Sequence, residues 1–425
     1  MNFIKRIKEL WINFVLFRFA LIIHLSYFII SYICVLTIFR EQNDFLIYFN
    51  AGGIFYNDIN NLYDQDQYLW DYRYLPLSAV FFVPFYLLGF ELGFTIFHVL
   101  NLIVNIFTCI FLYKICNFIK GKDHEKDDKR IIIFISFYLM AIPHMFNYIL
   151  GQINSFITLF MLISLYIFLK YSDLRWQFIG SLILGFSIIV KPTAILMIPF
   201  LMFFRSNSSG SKKYQLNFFI SLVRFIGIIL PIATNLFFFI IYPELWEGFV
   251  RTNFTGSNPI TLNFSFSITK LWLNFCYIYN IPFNQIIVLI CITVILTVLG
   301  LFFYIYGSFD RSFNKNNQNN SILYGFIFGM LIILLAYYDS WDHHLLNLIP
   351  LLIITIFEMP RDSEITKKYI KQSLFFFCFF DLAFFGVWFL TMYYFYFPYN
   401  FASTIFLILI FYAICKYGLN NKGVR

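Results

Sequence analysis

The run from Phe14 to Phe39, FVLFRFALIIHLSYFIISYICVLTIF, decides the fold class. It exceeds the about 20 helical residues that cross a ~30 Å hydrocarbon core, and an acid, Asp44, follows it closely. A carboxylate in hydrocarbon costs several kcal/mol, so Asp44 marks the point where the chain has left the bilayer. Two readings compete for it. One is an aspartate that merely solvates a helix end; the other is acid chemistry at a membrane surface, beside a bundle able to hold a lipid. Asp44 opens a long polar-aromatic loop through Asp58, Asp64, Asp66, Asp71 and Arg73 to Tyr74-Leu75-Pro76.

Outward from this segment the pattern repeats. Of 425 residues, 60% are hydrophobic and only 12% charged, which excludes a soluble domain. Further apolar runs fall at Leu75–Phe90, Gly93–Ile119, Ile131–Ile149, Ile153–Leu169, Gln177–Val190, Thr193–Phe204, Leu216–Ile241, Asn284–Tyr306, Ser321–Tyr337, Leu345–Phe357, Ser373–Phe397 and Phe401–Cys415. Leu75–Phe90 is short and carries Pro76 and Pro84, which suits an interfacial or re-entrant segment. With that run not crossing, the basic clusters Lys120–Arg130, Arg205–Lys213, Arg311/Lys315, Arg361–Lys371 and Lys416–Arg425 share a side with Lys5, Arg6 and Lys8. Of the 30 basic residues, only Arg40, Arg73, Lys191, Arg251 and Lys270 lie opposite. The positive-inside rule makes the rich side cytoplasmic. The expectation is an all-α polytopic integral membrane protein of about twelve transmembrane helices, multi-pass in the cell membrane, with both termini cytoplasmic. The N-terminal run is read as an uncleaved anchor.

The chain reads as one transmembrane domain over residues 1–425: a module over 1–204 containing the loop 40–92, then C-terminal helices over 205–425. Its long outer loops are Arg40–Tyr74 and Tyr242–Phe283; Asn253-Phe-Thr and Asn263-Phe-Ser in the second fit the glycosylation acceptor pattern. Ser/Asn-rich linkers lie at Ser206–Ser211 and Asn314–Asn320. The net charge of +8 follows from membrane sidedness and calls for no nucleic-acid partner. The seven cysteines show no metal-ligand spacing.

This topology brings the unusual polar residues to the outer face. They are Asp44, the Asp58–Arg73 segment, Gly151-Gln152-Ile153-Asn154, Lys191-Pro192, Arg251, Lys270, and Tyr337-Tyr338-Asp339-Ser340-Trp341-Asp342-His343-His344. Loops meet water, which accounts for Asn and Ser. It does not account for Lys191, isolated between two apolar runs. His343-His344 with Asp339 and Asp342 have the ligand chemistry of a divalent metal site, but adjacent histidines on a helix rarely bind one ion, so no metal is assigned. Asp381 lies within an apolar run with no evident charge partner. His24 and His98 read as satisfied core residues, and Trp246, Trp272 and Trp341 as interfacial anchors.

The order of these residues carries a resemblance. An aspartate follows the first span, then come Tyr48, Leu62-Tyr63, Tyr74-Leu75-Pro76, Gly151-Gln152-Ile153-Asn154, and a small-residue span Gly180–Gly185 ending in Lys191-Pro192. From Asp44 to Phe204 this resembles the GT-C membrane glycosyltransferases that use polyprenyl-phosphate sugars, most closely glycosyltransferase family 87, whose studied members are mannosyltransferases. The chain departs from the family at Tyr74-Leu75-Pro76, where Tyr-Pro-Pro or Tyr-Thr-Pro is usual.

The resemblance implies transfer of a hexose, with mannose favoured, from a polyprenyl-phosphate donor to a glycan or glycolipid acceptor at the extracytoplasmic face. Asp44 would be the general base, taking the acceptor's proton as its hydroxyl attacks the anomeric carbon. Lys191 would hold the donor phosphate as charge builds on it, with Arg73, His343 and His344 assisting. Tyr48, Tyr74, Gln152, Asn154 and Asp342 would line the substrate site. A single displacement inverts the anomeric centre, the lipid bilayer accommodates the prenyl chain, and no soluble cofactor is required. A flippase for lipid-linked sugars is the rival reading. It would place its charges along a path between leaflets, whereas here they gather at one face.

Overall fold

The computed structural model describes residues 3–121, 124–205, 214–255, 265–307, 309, 321–360, 363–381 and 401–420. Asn263 and Phe264 of the second acceptor tripeptide, both Ser/Asn-rich linkers and the later part of Ser373–Phe397 lie outside the described residues.

The apolar runs form helices, and a polar residue commonly starts them. After α1 (Phe3–Asn13) and α2 (Val15–Thr37), α3 (Asp44–Asn57) begins where Asn43 Oδ1 accepts the Leu46 N–H. α4 (Pro76–Leu87) carries Pro76 in its first turn, where a missing N–H costs nothing. Its twelve residues rise only about 18 Å, too short to cross. α5 (Phe90–Lys120) is the longest element. α6 (His124–Met140) and α7 (Pro143–Ile149) are bent by 41° at the break before Pro143.

α8 (Asn154–Lys170) and α9 (Leu174–Val190) form a hairpin, with Asp173 accepting the Trp176 N–H at the start of α9. Pro192 stops α9 because it cannot supply the next N–H, and the chain turns back as a tight helix, Pro192–Met197, into α10 (Ile198–Leu201). A two-residue antiparallel pairing, Phe204–Arg205 with Tyr214–Gln215, is the sole strand pair among the described residues. Then follow α11 (Phe218–Ile241), α12 (Pro243–Val250), α13 (Ile268–Ile278), α14 (Gln285–Tyr306), α15 (Ser321–Ala336), α16 (Leu345–Glu358), α17 (Lys371–Phe379) and α18 (Ala402–Asn420).

Among the described residues, α2, α5, α11, α14 and α18 are each long and apolar enough to cross a membrane, and the bent α6–α7 pair is a sixth candidate. α14 exposes Ile287, Ile290, Val294 and Val298, and α2 exposes Phe19, Ile22, Ile29 and Ile33, as lipid-facing helices must. α15 is apolar on every side and buried almost throughout, which places it at the bundle centre. The chain is therefore an all-α polytopic membrane protein.

Two packed cores result. The larger surrounds α15 and α16 and draws on α6, α8, α17 and α18. The smaller joins α3, α4 and α5 through Phe45, Tyr48, Tyr72, Phe82 and Phe97. Val190 packs against both, so Lys191 sits at their junction. The bundle has two chemically distinct ends. At one, Arg224 donates to Gln177 Oε1 and to the Leu201 carbonyl, so α10 returns to the level where α9 begins. Lys120 pairs with Asp127 at 3.4 Å, and the Arg130 guanidinium lies over Phe357. The other end gathers the loops that carry Asp44, Gln152, Lys191 and His344.

Candidate active site

The turn between α7 and α8 organises the site. The backbone N–H groups of Asp44 and Phe45 donate to the Leu150 carbonyl at 2.8 and 3.2 Å, docking the start of α3 against this turn. Gly151 follows at φ +64°, where a side chain is strained, and a Cβ there would lie 2.6 Å from Phe45 Cβ. Only glycine lets the two backbones approach this closely. Gln152 then projects between α3 and the end of α9.

Gln152 links the two residues of opposite charge. Its Oε1 accepts from Lys191 Nζ and from the Tyr48 hydroxyl, both at 3.0 Å, and its Nε2 donates to Asp44 Oδ2. The amide orientation is dictated by chemistry: an ammonium only donates, so the oxygen must face Lys191 and the NH2 must face the carboxylate. Tyr48 has committed its proton to Gln152, so the Tyr74 hydroxyl donates to it, at 2.9 Å. Tyr63 in turn donates to the Tyr74 carbonyl at 2.6 Å. Residues from four separate stretches of chain thus form one network.

Asp44 is half-buried. One carboxylate oxygen is held by Gln152, and the other has no hydrogen-bond partner among the described residues. Burial pushes the carboxyl above the usual carboxylate range, while the Gln152 hydrogen bond and the Lys191 charge pull it back. Lys191 is 6% exposed. Burial pushes its ammonium down to about 7, against the pull of Asp44. An acid made more basic and a cation made weaker fit proton abstraction beside an anionic substrate. The Tyr74-Leu75-Pro76 departure leaves the backbone as proline would have it. Leu75 adopts φ −65° and ψ 151°, within proline's own range, and Ser78 Oγ donates to the Val190 carbonyl at 3.4 Å, beside Lys191.

The segment from Trp341 to His344 completes the floor. The Trp341 N–H donates to His344 Nδ1 at 3.0 Å, which places the proton of a neutral ring on Nε2. That Nε2 is buried without a partner among the described residues. Burial, reinforced by the nearby Lys191 charge, holds His343 and His344 well below the usual histidine range. They therefore act as neutral donors or acceptors.

Three expected site residues have other partners. Arg73 forms an ion pair with Asp339, tying the first long loop to the segment after α15. Lys270, fully buried nearby, is pushed down to about 8 by burial, with Asp339 raising it and Arg73 lowering it. Asn154 faces inward, its Nδ2 donating to Asn147 Oδ1 at 3.3 Å. Asp342 lies beside Asp381, whose carboxylate accepts from Ser403 Oγ. Asp381 thus has in Ser403 a partner its sequence context did not reveal. Among the described residues, no three His, Cys, Asp or Glu side chains converge as a metal site needs. Asp58, Asp64 and Asp66 form no hydrogen bond with this network among the described residues. Asp58 and Asp64 cap their own turns through the Asn60 and Asp66 N–H groups, at 3.3 and 3.2 Å.

A sequence reading of single residues passed over Asn147. Its signal was a lone amide inside an apolar run, four residues before a glycine turn. His24 and His98 are satisfied by the Leu139 and Phe28 carbonyls, at 3.0 and 2.8 Å, as core residues.

Neither curated proteins nor solved structures yield a match. A family model described as glycosyltransferase family 87 matches residues 72–334. The matched span includes Arg73, Tyr74, Gln152, Asn154 and Lys191; Asp44, Tyr48, Asp342, His343 and His344 flank it. Since that span is more than half of the chain, and the bundle around it is the expected all-α membrane architecture, the protein belongs to glycosyltransferase family 87.

Proposed function

We propose that this glycosyltransferase moves a hexose from a polyprenyl-phosphate carrier to a glycan or glycolipid acceptor at the extracytoplasmic face, inverting the anomeric carbon. The observation that carries this reading is the Gln152 amide, which holds Asp44 and Lys191 in one half-closed network. Mannose is the favoured sugar, by likeness to the studied members of the family.

In this reading the acceptor hydroxyl approaches the unpartnered oxygen of Asp44. As its oxygen bonds to the anomeric carbon, its proton passes to the carboxylate. The bond from that carbon to the phosphate oxygen breaks, and the electron pair leaves with the polyprenyl phosphate. Lys191 has three N–H bonds, and Gln152 accepts one of them. The others are suited to the departing phosphate, as is the His344 Nε2–H. An arriving phosphate would raise the Lys191 pKa, completing the cation where charge develops. Arg73 would join only after release from Asp339. The reaction so described uses no soluble cofactor.

The test is transfer by purified protein from a panel of radiolabelled polyprenyl-phosphate sugars, covering mannose, glucose and arabinose, into a membrane lipid extract. Label moving from one carrier identifies the donor. No transfer from any carrier, with label moving only from nucleotide sugars assayed in parallel, would overturn the donor class.

A further inference from the structure

Asn147 lies on α7, fully buried, and touches neither Asp44 nor Lys191. Its contacts instead surround the backbone of Gln152. The Gln152 N–H donates to the Asn147 carbonyl at 2.8 Å, and Asn147 Nδ2 donates to the Gln152 carbonyl at 3.2 Å. The same amide reaches Ser155 Oγ at 3.2 Å and Asn101 Oδ1 at 3.4 Å, and Asn154 Nδ2 donates to its oxygen. One residue therefore grips both peptide groups of Gln152 and is itself fixed from α5 and α8. The opposite side of the turn is clamped by Asp44 and Phe45 on the Leu150 carbonyl. Between these clamps the Gln152 side chain has one course, toward Asp44 and Lys191.

We infer that Asn147 is a positioning residue for sugar transfer, holding the Gln152 amide where it bridges the general base and the phosphate-binding lysine. The inference rests on the function proposed above and deepens it. A buried amide bonded only to satisfy α7 would influence stability alone. A residue that aims Gln152 also sets the proton affinity of Asp44, because the Gln152 N–H stabilises the carboxylate form. The titratable groups facing Asp44 are Lys191 from the end of α9, Tyr48 one turn along α3, and Tyr74 from the loop before α4. None of them is touched by Asn147 among the described residues.

The discriminating readout is the acid limb of kcat/KM against pH, which reports protonation of the base in the free enzyme. Wild-type protein is compared with Asn147→Leu, Asn147→Ser, Gln152→Leu, Ser155→Ala and the double variant Asn147→Ser/Gln152→Leu. Losing the amide's hydrogen bond should move the limb upward by about one pH unit in Gln152→Leu. Asn147→Ser, whose side chain is too short to reach the Gln152 carbonyl, should shift it the same way, and the double variant no further. Ser155→Ala should leave the limb in place, since Ser155 contacts Asn147 and not Gln152. Asn147→Ser is the fallback should Asn147→Leu not fold.

An unmoved limb in folded Asn147→Ser, or a full additive loss in the double variant, would overturn the positioning role. Asp44→Asn, measured alongside, separates the two claims. If it keeps wild-type turnover, the general-base reading fails; if it is inactive while the Asn147 limb is unmoved, only the positioning role does.

Discussion

Replacing Asp44 by Asn should abolish sugar transfer while sparing the fold and donor affinity. Asparagine has the shape of aspartate and can still accept from Gln152 Nε2 through its oxygen, so the docking of α3 on the Leu150 carbonyl is preserved. What disappears is the capacity to take a proton at neutral pH. General-base catalysis contributes about 100- to 10,000-fold, which corresponds to about 2.7 to 5.5 kcal/mol of transition-state stabilisation. The loss should fall on kcat, with donor KM little changed. The measurement must be made on the acid side of about 7, where Lys191 carries its proton. Removing the Asp44 carboxylate removes a charge that raises the Lys191 pKa, so the variant lysine becomes neutral at lower pH than the native one. Donor binding by Asp44→Asn should therefore weaken earlier as pH rises, while matching wild type in mild acid. The assay is initial-rate transfer from radiolabelled donor, paired with binding of a non-transferable polyprenyl phosphonate across the same pH range. Asp58→Asn and Asp64→Asn serve as controls. Both keep a side-chain oxygen that caps its turn, since Asn caps about as well as Asp, and should leave turnover near wild type. Full turnover in Asp44→Asn, with its loss in one of those controls, would refute the assignment of the base.

Lys191→Ala should lower turnover about 100- to 1,000-fold, the usual effect of removing one electrostatic donor, and Lys191→Arg should rescue only partly because its planar fork differs from a compact ammonium; unimpaired Lys191→Ala would make this lysine an interfacial anchor. Gly151→Ala forces a side chain into the left-handed region, at about 1–2 kcal/mol, and against Phe45 Cβ at 2.6 Å. It should lower both thermal stability and kcat, and a fully active, equally stable variant would mean that α3 need not dock here. For topology, a cysteine introduced in the Lys120–Arg130 loop should resist an impermeant thiol reagent in intact cells, while one at position 258 should react. Labelling of the first position would reverse the inferred sidedness.

Much of the architecture is legible in residue order because it is local physics. Apolar runs of sufficient length must become helices in lipid, since no other open segment satisfies its own backbone. Proline at 192, aspartate at 173 and asparagine at 43 mark where those helices stop or start. Asp44, Gln152 and Lys191 stood out singly, as polar groups where apolar surroundings make polarity expensive. Their relation did not stand out. Gln152 meets Asp44 across 108 positions and Lys191 across 39, and no local periodicity encodes either pairing. Arg73 looked like a phosphate ligand until packing brought Asp339 to it from 266 positions away. The charge state of the two adjacent histidines was not legible at all: burial beside Lys191 holds both well below the usual histidine range. Sequence alone determined that the apolar segments form helices and which side chains are costly among them. Tertiary packing decided which of those side chains share a site, because burial and long-range contact set their charge, their hydrogen bonds and their direction.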